Sequence, residues 1–276
     1  MSIHTSALVE TGAKIHRDST VGPFCIVGQD VEIGPGCVLS PRVCIQGRVR
    51  IGANNVFRPT CVIGGSPQDV STPAAPDGRI EIGDDNTVAE AVTIHLPKQP
   101  HGITRIGSHN RLDFGSHVAH DAHVGNHVRL GNFVLLAGHS YVDDHAFLES
   151  PTVVHQFATV GRFCITDPYS GIRVDAPPFM RILGFQGDST AASKRTTSMV
   201  VDGVNRSELE REKFPKDTIE ALEKAYRVVW QSGSPRPESI GLLESSHVPE
   251  VRELVRFLRR SMQGRLGRAL EAKKSG

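Results

Sequence analysis

One regularity constrains this chain more than any other: an apolar residue recurs every six positions. From Ile3 it falls on Val9, Ile15, Val21, Val27, Ile33, Leu39, Ile45, Ile51, Phe57 and Ile63. It resumes at Ile82, Val88 and Ile94, and again from Ile106 through Leu112, Val118, Val124, Leu130, Leu136, Val142, Leu148, Val154 and Val160. Thr166 and Ile172 close the series. A period of six fits neither a 3.6-residue helix nor plain strand alternation. It fits a parallel β-helix of hexapeptides, in which each hexad is a short strand plus a turn and three hexads make one 18-residue coil. The recurring residue fills the interior. Four places on, small or β-branched side chains dominate (Ala13, Ser19, Cys25, Val31, Cys37, Val43, Cys61), where turns crowd together. Four of the five cysteines (Cys25, Cys37, Cys61 and Cys164) occupy that position, so they read as inert packing groups. An aromatic content of 5% agrees with a thin core rather than a bulky one.

The hexads divide the chain. Residues 1–180 read as the β-helix, with loops at about 64–79 and 95–105 that are rich in Pro and Gly. The step from Ile63 to Ile82 is one position longer than a full coil. Residues 181–276 read as a linker plus an α-helical C-terminal domain. Asp217 is expected to cap a helix over 218–231, with Ile219, Leu222, Ala225, Tyr226 and Val229 on one face. Pro235 and Pro237 are expected to end it, and a second amphipathic helix should cover 251–258. The basic tail, 259–274, reads as a solvated face or as a docking surface for an acidic partner. A net charge of +1 gives no global field for nucleic acid. No run of about 18 apolar residues predicts a membrane span. The start, Met1-Ser2-Ile3-His4, lacks a signal-peptide pattern, so a cytoplasmic location is expected. An odd cysteine count without a CxxC pair argues against a disulfide framework.

Ten of the thirteen histidines lie between His95 and His155. Residues one coil apart stack on adjacent rungs about 4.8 Å from each other. His120, Gly138 and Gln156 then form one column, Asp121 and His139 the next, and His155 adjoins Gln156. A histidine hydrogen-bonded to a carboxylate can take a proton from a hydroxyl, with the carboxylate fixing the tautomer. A backbone N–H beside a glycine can hold a developing oxyanion. No Ser or Cys nucleophile is evident in the column, so direct attack of a substrate hydroxyl on a thioester is the natural reaction. His117 and His123 are six apart and belong to successive faces. A metal site made from His117, His120 and His123 of one chain is therefore not expected, although ligands shared between subunits would satisfy zinc.

The hexads resemble the left-handed parallel β-helix acyltransferases, which are usually trimers. Three strings carry a closer likeness: 117–126 (HVAHDAHVGN), 136–139 (LAGH) and 154–157 (VHQF). With Gly22-Pro23-Phe24-Cys25, Gly64-Gly65-Ser66-Pro67-Gln68-Asp69, Val92-Thr93-Ile94-His95 and the helical C-terminus, they resemble the acyl-ACP:UDP-N-acetylglucosamine O-acyltransferases, which start lipid A synthesis. The resemblance implies His120 as general base on the glucosamine hydroxyl, Asp121 as its orienting partner and Gly138 as oxyanion donor. It places His117, His139, His155 and Gln156 along the substrate site, with Asp69, Asp202 and Arg206 holding the sugar nucleotide, Arg206 near its phosphates. It implies acyl carrier protein as donor partner, UDP-N-acetylglucosamine or a related sugar nucleotide as acceptor, a homotrimer, and no cofactor or metal.

The chain departs from that family at four places. Ser71 stands where the family usually has Lys. Leu96-Pro97-Lys98 replaces Arg-Gly-Thr after His95. Thr166-Asp167-Pro168-Tyr169 replaces a Gly-rich segment that sets acyl length, and 188–198 reads as an insertion. Acyl length, carrier protein versus coenzyme A as donor, and the acceptor sugar stay open on these grounds. So do two other readings: another sugar acyltransferase using acetyl-CoA, and a trimeric metal enzyme resembling the γ-type carbonic anhydrases.

Overall fold

The computed structural model describes residues 2–68, 75, 77–184 and 199–271. Its organising contact is a parallel register of one coil. Ser2 pairs with Thr20, Thr20 with Val38, and Val38 with Val56. The same spacing links His117 with Leu135 and Leu135 with Val153. Among the described residues the strands fall into sheets of eleven, nine and eight, all parallel except Val201–Val204 at the end of the largest, and these sheets form the three sides of the solenoid. Most strands are two residues long, because each hexad must also turn the corner to the next side. Adjacent strand residues point to opposite faces, so one residue of each pair is interior. Val27, Ile45, Phe57, Ile63, Val118 and Leu136 are all fully buried. Thr166 and Ile172 close the series inside, as expected. Cys25, Cys37, Cys61 and Cys164 are free and buried, and burial pushes the Cys61 thiol up to about 12.

The two loops enter as additions to a coil. Val56 pairs with Thr87, so the first excursion lengthens its coil by two hexads and one further position. Thr93 pairs with His117, so the second lengthens its coil by one hexad. This corrects the arithmetic for Ile63 and Ile82: they lie on successive sides, and their separation is one hexad plus the loop rather than a stretched coil. The last coil is two positions short, with Ile165 paired to Arg181.

One interior polar feature was not expected. Asn55, Asn86 and Asn110 stack at the corner between the eight- and eleven-stranded sheets, and all three are buried. Asn86 donates from its side-chain amide to Asn55 Oδ1 at 2.9 Å and to the Gly107 carbonyl at 2.9 Å. Its own Oδ1 accepts from the Asn110 backbone at 2.8 Å. This ladder satisfies turn amides that would otherwise be stranded in an apolar interior, and it runs on across a regular coil, where Asn110 Oδ1 accepts the Val128 N–H at 2.7 Å.

After Met180–Ile182 the chain returns through Val201–Val204, antiparallel to it, into helices. They are α1 (Arg206–Arg211), α2 (Lys216–Tyr226, continued by a wider turn over Arg227–Gln231), α3 (Arg236–Gly241) and α4 (Pro249–Gln263). The expected apolar face is present, with Ile219, Leu222, Ala225 and Val229 buried. Asp217 is not the cap. Pro215 precedes α2, and Asp217 lies in its first turn, where a carboxylate favours the N-terminal dipole. Pro237 does not end a helix but opens α3, a position that needs no N–H donor. Arg162 grips Glu253 of α4 through two contacts at 2.9 and 3.3 Å, and Asp175 accepts the Ala269 amide at 2.9 Å. These contacts fasten the helices to the last coils. In the tail, Arg268 is buried against Glu271 and the Arg173 carbonyl rather than solvated. Lys273 and Lys274 lie outside the described residues. No helix among the described residues is long and apolar enough to cross a membrane.

Replacing Asn86 by Ala strands the Gly107 carbonyl and the Asn110 amide in the interior, while Asn55 Oδ1 keeps the backbone N–H of residue 86 at 3.0 Å. The expected cost is about 3 kcal/mol, at the upper end for an unsatisfied buried group. Chemical denaturation should show it, with a near-neutral result for the exposed Asn132→Ala as reference.

Candidate active site

The corner between the nine- and eight-stranded sheets carries the histidine cluster. There the chain turns through a residue in the left-handed region: Asp121 (φ 58°), His139 (φ 60°) and Phe157 (φ 63°), each one coil after the last. Such a conformation costs a non-glycine residue roughly 1 kcal/mol or more. The ladder bonds on either side enforce it and aim three side chains along one edge. His139 and Phe157 stack nearly parallel, 4.7 Å apart. The His120 ring meets His139 edge-on at 5.2 Å.

His120 and Asp121 form the expected pair. Their side chains are each only 7% exposed, and His120 Nδ1 lies 2.9 Å from Asp121 Oδ2. An ionised carboxylate can only accept, so Nδ1 carries the proton and Nε2 presents its lone pair. Burial alone would raise the Asp121 carboxyl. The hydrogen bonds from His120 and from the Lys98 amide, with the nearby His139, outweigh burial and hold it below the usual carboxylate range. Gly138 lies against the imidazole beside Cε1 and Nε2. A Cβ built on Gly138 would lie 2.6 Å from His120 Nε2 and 2.4 Å from Cε1, so only glycine fits. Among the described residues, the Gly138 N–H has no acceptor. A proton acceptor and a free backbone donor therefore sit side by side, the arrangement needed to deprotonate a hydroxyl and hold the oxyanion it creates.

The other expected residues divide into two groups. His117 is part-buried on the strand that leads into this turn, where its Nδ1 lies 2.8 Å from Thr93 Oγ1 on the rung below and its ring is 4.9 Å from His95. Burial, with His95 and His120 nearby, pushes its pKa down to about 4. His139 Nε2 is 3.9 Å from Asp121 Oδ2. His155 and Gln156 sit exposed at the top of the column, and His155 Nδ1 donates to the Gln156 carbonyl at 2.9 Å. All of these share the corner. Asp202 and Arg206 do not, within one chain. Asp202 lies on Val201–Val204, five strands along the eleven-stranded sheet from the strand of the His120 coil, which is roughly 24 Å along the axis. Arg206 opens α1 and is bound to Glu210 and Glu223 at 2.8 Å each, so it is not a free anion site. Asp69, Ser71 and the 188–198 insertion lie outside the described residues.

Some contributors were missed in the sequence. Phe157 follows His139 by one coil, so the column arithmetic already contained it. Thr104 Oγ1 accepts the Asp121 N–H at 2.9 Å, and the backbone amides of Lys98 and Gln99 reach the Asp121 carboxylate at 2.9 and 3.4 Å. The amides carry no side-chain signature and lie in a loop that has no hexad phase. For a metal, the ligand atoms of His120, Asp121 and His139 lie within 4.8 Å of one another. An ion there would have to displace the His120 proton and compete with the loop amides for the same carboxylate. Within one chain His123 stays apart from the cluster, its Nε2 donating to the Ile103 carbonyl at 3.0 Å.

Comparison with known proteins bears on these features. Residues 12–47 match the family model described as bacterial transferase hexapeptide (six repeats). Residues 190–266 match that described as UDP N-acetylglucosamine O-acyltransferase, domain 2. Among solved structures, the chain is 33% identical to the UDP-N-acetylglucosamine O-acyltransferase (LpxA) of Moraxella catarrhalis, covering 93% of this chain and 96% of that one with a TM-score of 0.81. It is 31% identical to LpxA from Acinetobacter baumannii, covering 92% and 95% with a TM-score of 0.83. The UDP-N-acetylglucosamine acyltransferase of Francisella novicida is 28% identical and superposes with a TM-score of 0.85 over 93% and 91%. With this identity sustained over nearly the whole of both chains, the protein belongs to the LpxA family of UDP-N-acetylglucosamine acyltransferases.

Proposed function

We propose that this protein moves a (3-hydroxy)acyl group from acyl carrier protein to the glucosamine hydroxyl of UDP-N-acetylglucosamine, the first step of lipid A synthesis, in the cytoplasm. The observation that carries the reading is the buried His120–Asp121 pair with Gly138 packed against the Cε1 and Nε2 side of the imidazole, closer than any side chain would allow. In the reaction, His120 Nε2 takes the hydroxyl proton as the oxygen attacks the thioester carbonyl carbon. Asp121 stabilises the imidazolium, and the Gly138 N–H holds the tetrahedral oxyanion. Collapse breaks the carbon–sulfur bond, and the imidazolium returns its proton to the leaving thiolate. No covalent enzyme intermediate and no cofactor are needed.

His117 fits a substrate-lining role as a neutral imidazole, since its depressed pKa keeps it uncharged at working pH. His139, His155 and Gln156 line the same edge. Asp69, Asp202 and Arg206 are assigned to the sugar nucleotide by family likeness. For Arg206 to meet a phosphate, the anion must displace Glu210 or Glu223. Two surfaces support the partners. Leu8, Ile26, Leu135 and Val153 point outward from the nine-stranded sheet, with Phe24 and Phe133 exposed at its adjoining corner, a stripe suited to further copies in a homotrimer. The outer side of α4 exposes Arg252, Arg256 and Arg259, of the charge an acidic carrier protein needs.

Two outcomes are expected. His120→Ala and Asp121→Asn should each lower kcat by about 10²–10⁴-fold in a coupled assay with acyl carrier protein substrates, with thermal stability close to wild type. Unchanged turnover in His120→Ala would remove this corner from the reaction. The second concerns acid stability. Below about pH 6.5 the unfolded His117 takes a proton that the folded one refuses until about pH 4. The unfolded state then binds more protons, so acidification through this window destabilises the fold. Wild type should therefore lose more Tm on going from about pH 7 to about pH 5 than His117→Gln does, by differential scanning calorimetry.

A further inference from the structure

The second loop does more than interrupt the solenoid. It leaves the corner at His95, returns at Ile103, and crosses the back of Asp121. On the way, the Lys98 N–H donates to Asp121 Oδ2 at 2.9 Å and the Gln99 N–H lies 3.4 Å from Oδ1. Oδ2 is the same oxygen that receives the His120 Nδ1 proton. With the Asp121 amide itself held by Thr104 Oγ1 at 2.9 Å, the residue is fixed from both its backbone and its carboxylate. Two amides directed at one carboxylate favour its charged form and fix the plane in which it meets the imidazole.

Gly102 allows that closure. A Cβ there would meet Asp121 Oδ1 at 2.6 Å, the Gln99 carbonyl at 2.7 Å and Pro97 Cβ at 2.9 Å. The loop also has a brace. The Asp77 carboxylate accepts the His101 N–H at 3.1 Å and contacts the His101 ring, while the Leu96 N–H donates to the Gly65 carbonyl at 2.9 Å. Arg79, two residues after Asp77, donates from its backbone to the Gly102 carbonyl at 3.1 Å. The first loop thus holds the second, and the second holds Asp121.

We infer that Gly102 and Asp77 are positioning residues of the dyad: they close the 95–105 loop on Asp121, so that its amides orient the carboxylate and through it fix the His120 tautomer. The inference rests on the reading of His120 as the base. Its consequence for rate follows from geometry, since displacement of a catalytic group by about 1 Å can cost about 10²-fold.

The test compares wild type with Gly102→Ala in full-length protein carrying ¹⁵N-labelled histidine, the His120 signals being assigned by their loss in His120→Ala. Near neutral pH the wild-type His120 should be a single tautomer with the proton on Nδ1. In Gly102→Ala the Nδ1 and Nε2 shifts should converge towards a tautomer mixture, and kcat should fall by about 10²-fold with KM little changed. Asp77→Ala, which weakens the brace without adding an atom beside the dyad, should move both readouts the same way by less. It decides the matter if Gly102→Ala folds poorly. A wild-type tautomer in a folded Gly102→Ala or Asp77→Ala protein overturns the inference. A wild type that transfers no acyl group defeats the functional reading instead, and the tautomer comparison still decides this one.

Discussion

Everything in this molecule depends on one backbone constraint, the parallel register that returns each residue above its equivalent one coil earlier. It fixes which side chains fill the interior, because a two-residue strand has only one inward position. It also fixes which residues share a corner. The register gives the corner its chemistry at second hand: it forces Asp121, His139 and Phe157 into the left-handed region one above another. Side chains that local sequence would scatter are thereby aligned along a single edge, about one strand spacing apart. A rigid ladder suits a reaction that needs a base and an oxyanion donor held in fixed relation, because no reorganisation is left to the moment of reaction.

Within that frame, electrostatics decides the protonation states. Asp121 is buried enough that burial alone would favour its neutral acid, yet hydrogen-bond donors surround it and the charge stays. His117, on the strand that leads into the same turn and part-buried, meets no carboxylate among the described residues and remains neutral. Both pKa values are lowered, and the outcome differs with the group: a carboxyl held low stays charged, an imidazole held low stays neutral. Gly138 belongs to the same logic. A Cβ there would collide with the His120 ring at Cε1 and Nε2, so the absence of a side chain is what leaves that ring its place in the corner.

The sequence was legible wherever the hexad phase ran unbroken. The interior apolar series, the inert cysteines, the His120–Gly138–Gln156 column and the Asp121–His139 contact all follow from counting by hexads and by coils. Counting failed where the phase was lost. Residues 64–79 and 95–105 belong to no column, so the amides of Lys98 and Gln99 could not be placed on Asp121 in advance, and a backbone donor leaves no mark on residue identity. The asparagine ladder was missed for another reason: Asn55, Asn86 and Asn110 sit four places after Ile51, Ile82 and Ile106, within the hexad count, but at a position read as one for small or β-branched side chains. In the helices, Asp217 and Pro237 were placed by rules for isolated segments. Packing on the last coils set the actual boundaries, with Pro215 before α2 and Pro237 inside the first turn of α3. Arg206 looked like an anion ligand by likeness alone, and only the folded chain shows two glutamates already holding it.

Of the chain's departures from its family, Leu96-Pro97-Lys98 reaches this corner through the Lys98 amide, and the segment at 166–169 lies on a later coil. Asp167 pairs with Arg181 at 2.9 Å, and Tyr169 stands 70% exposed in the segment that replaces the usual glycines. The dyad and Gly138 are intact. On the proposed function these residues carry acyl transfer to UDP-N-acetylglucosamine, and the replaced segment at 166–169 bears on which acyl length is taken. The most direct measurement is a mass-spectrometric screen of purified protein with UDP-N-acetylglucosamine against a ladder of acyl carrier protein thioesters of increasing length, with acetyl-CoA in parallel. The account predicts an O-acylated sugar nucleotide from one narrow range of acyl carrier protein substrates. No acylated product from any donor in the ladder would contradict it.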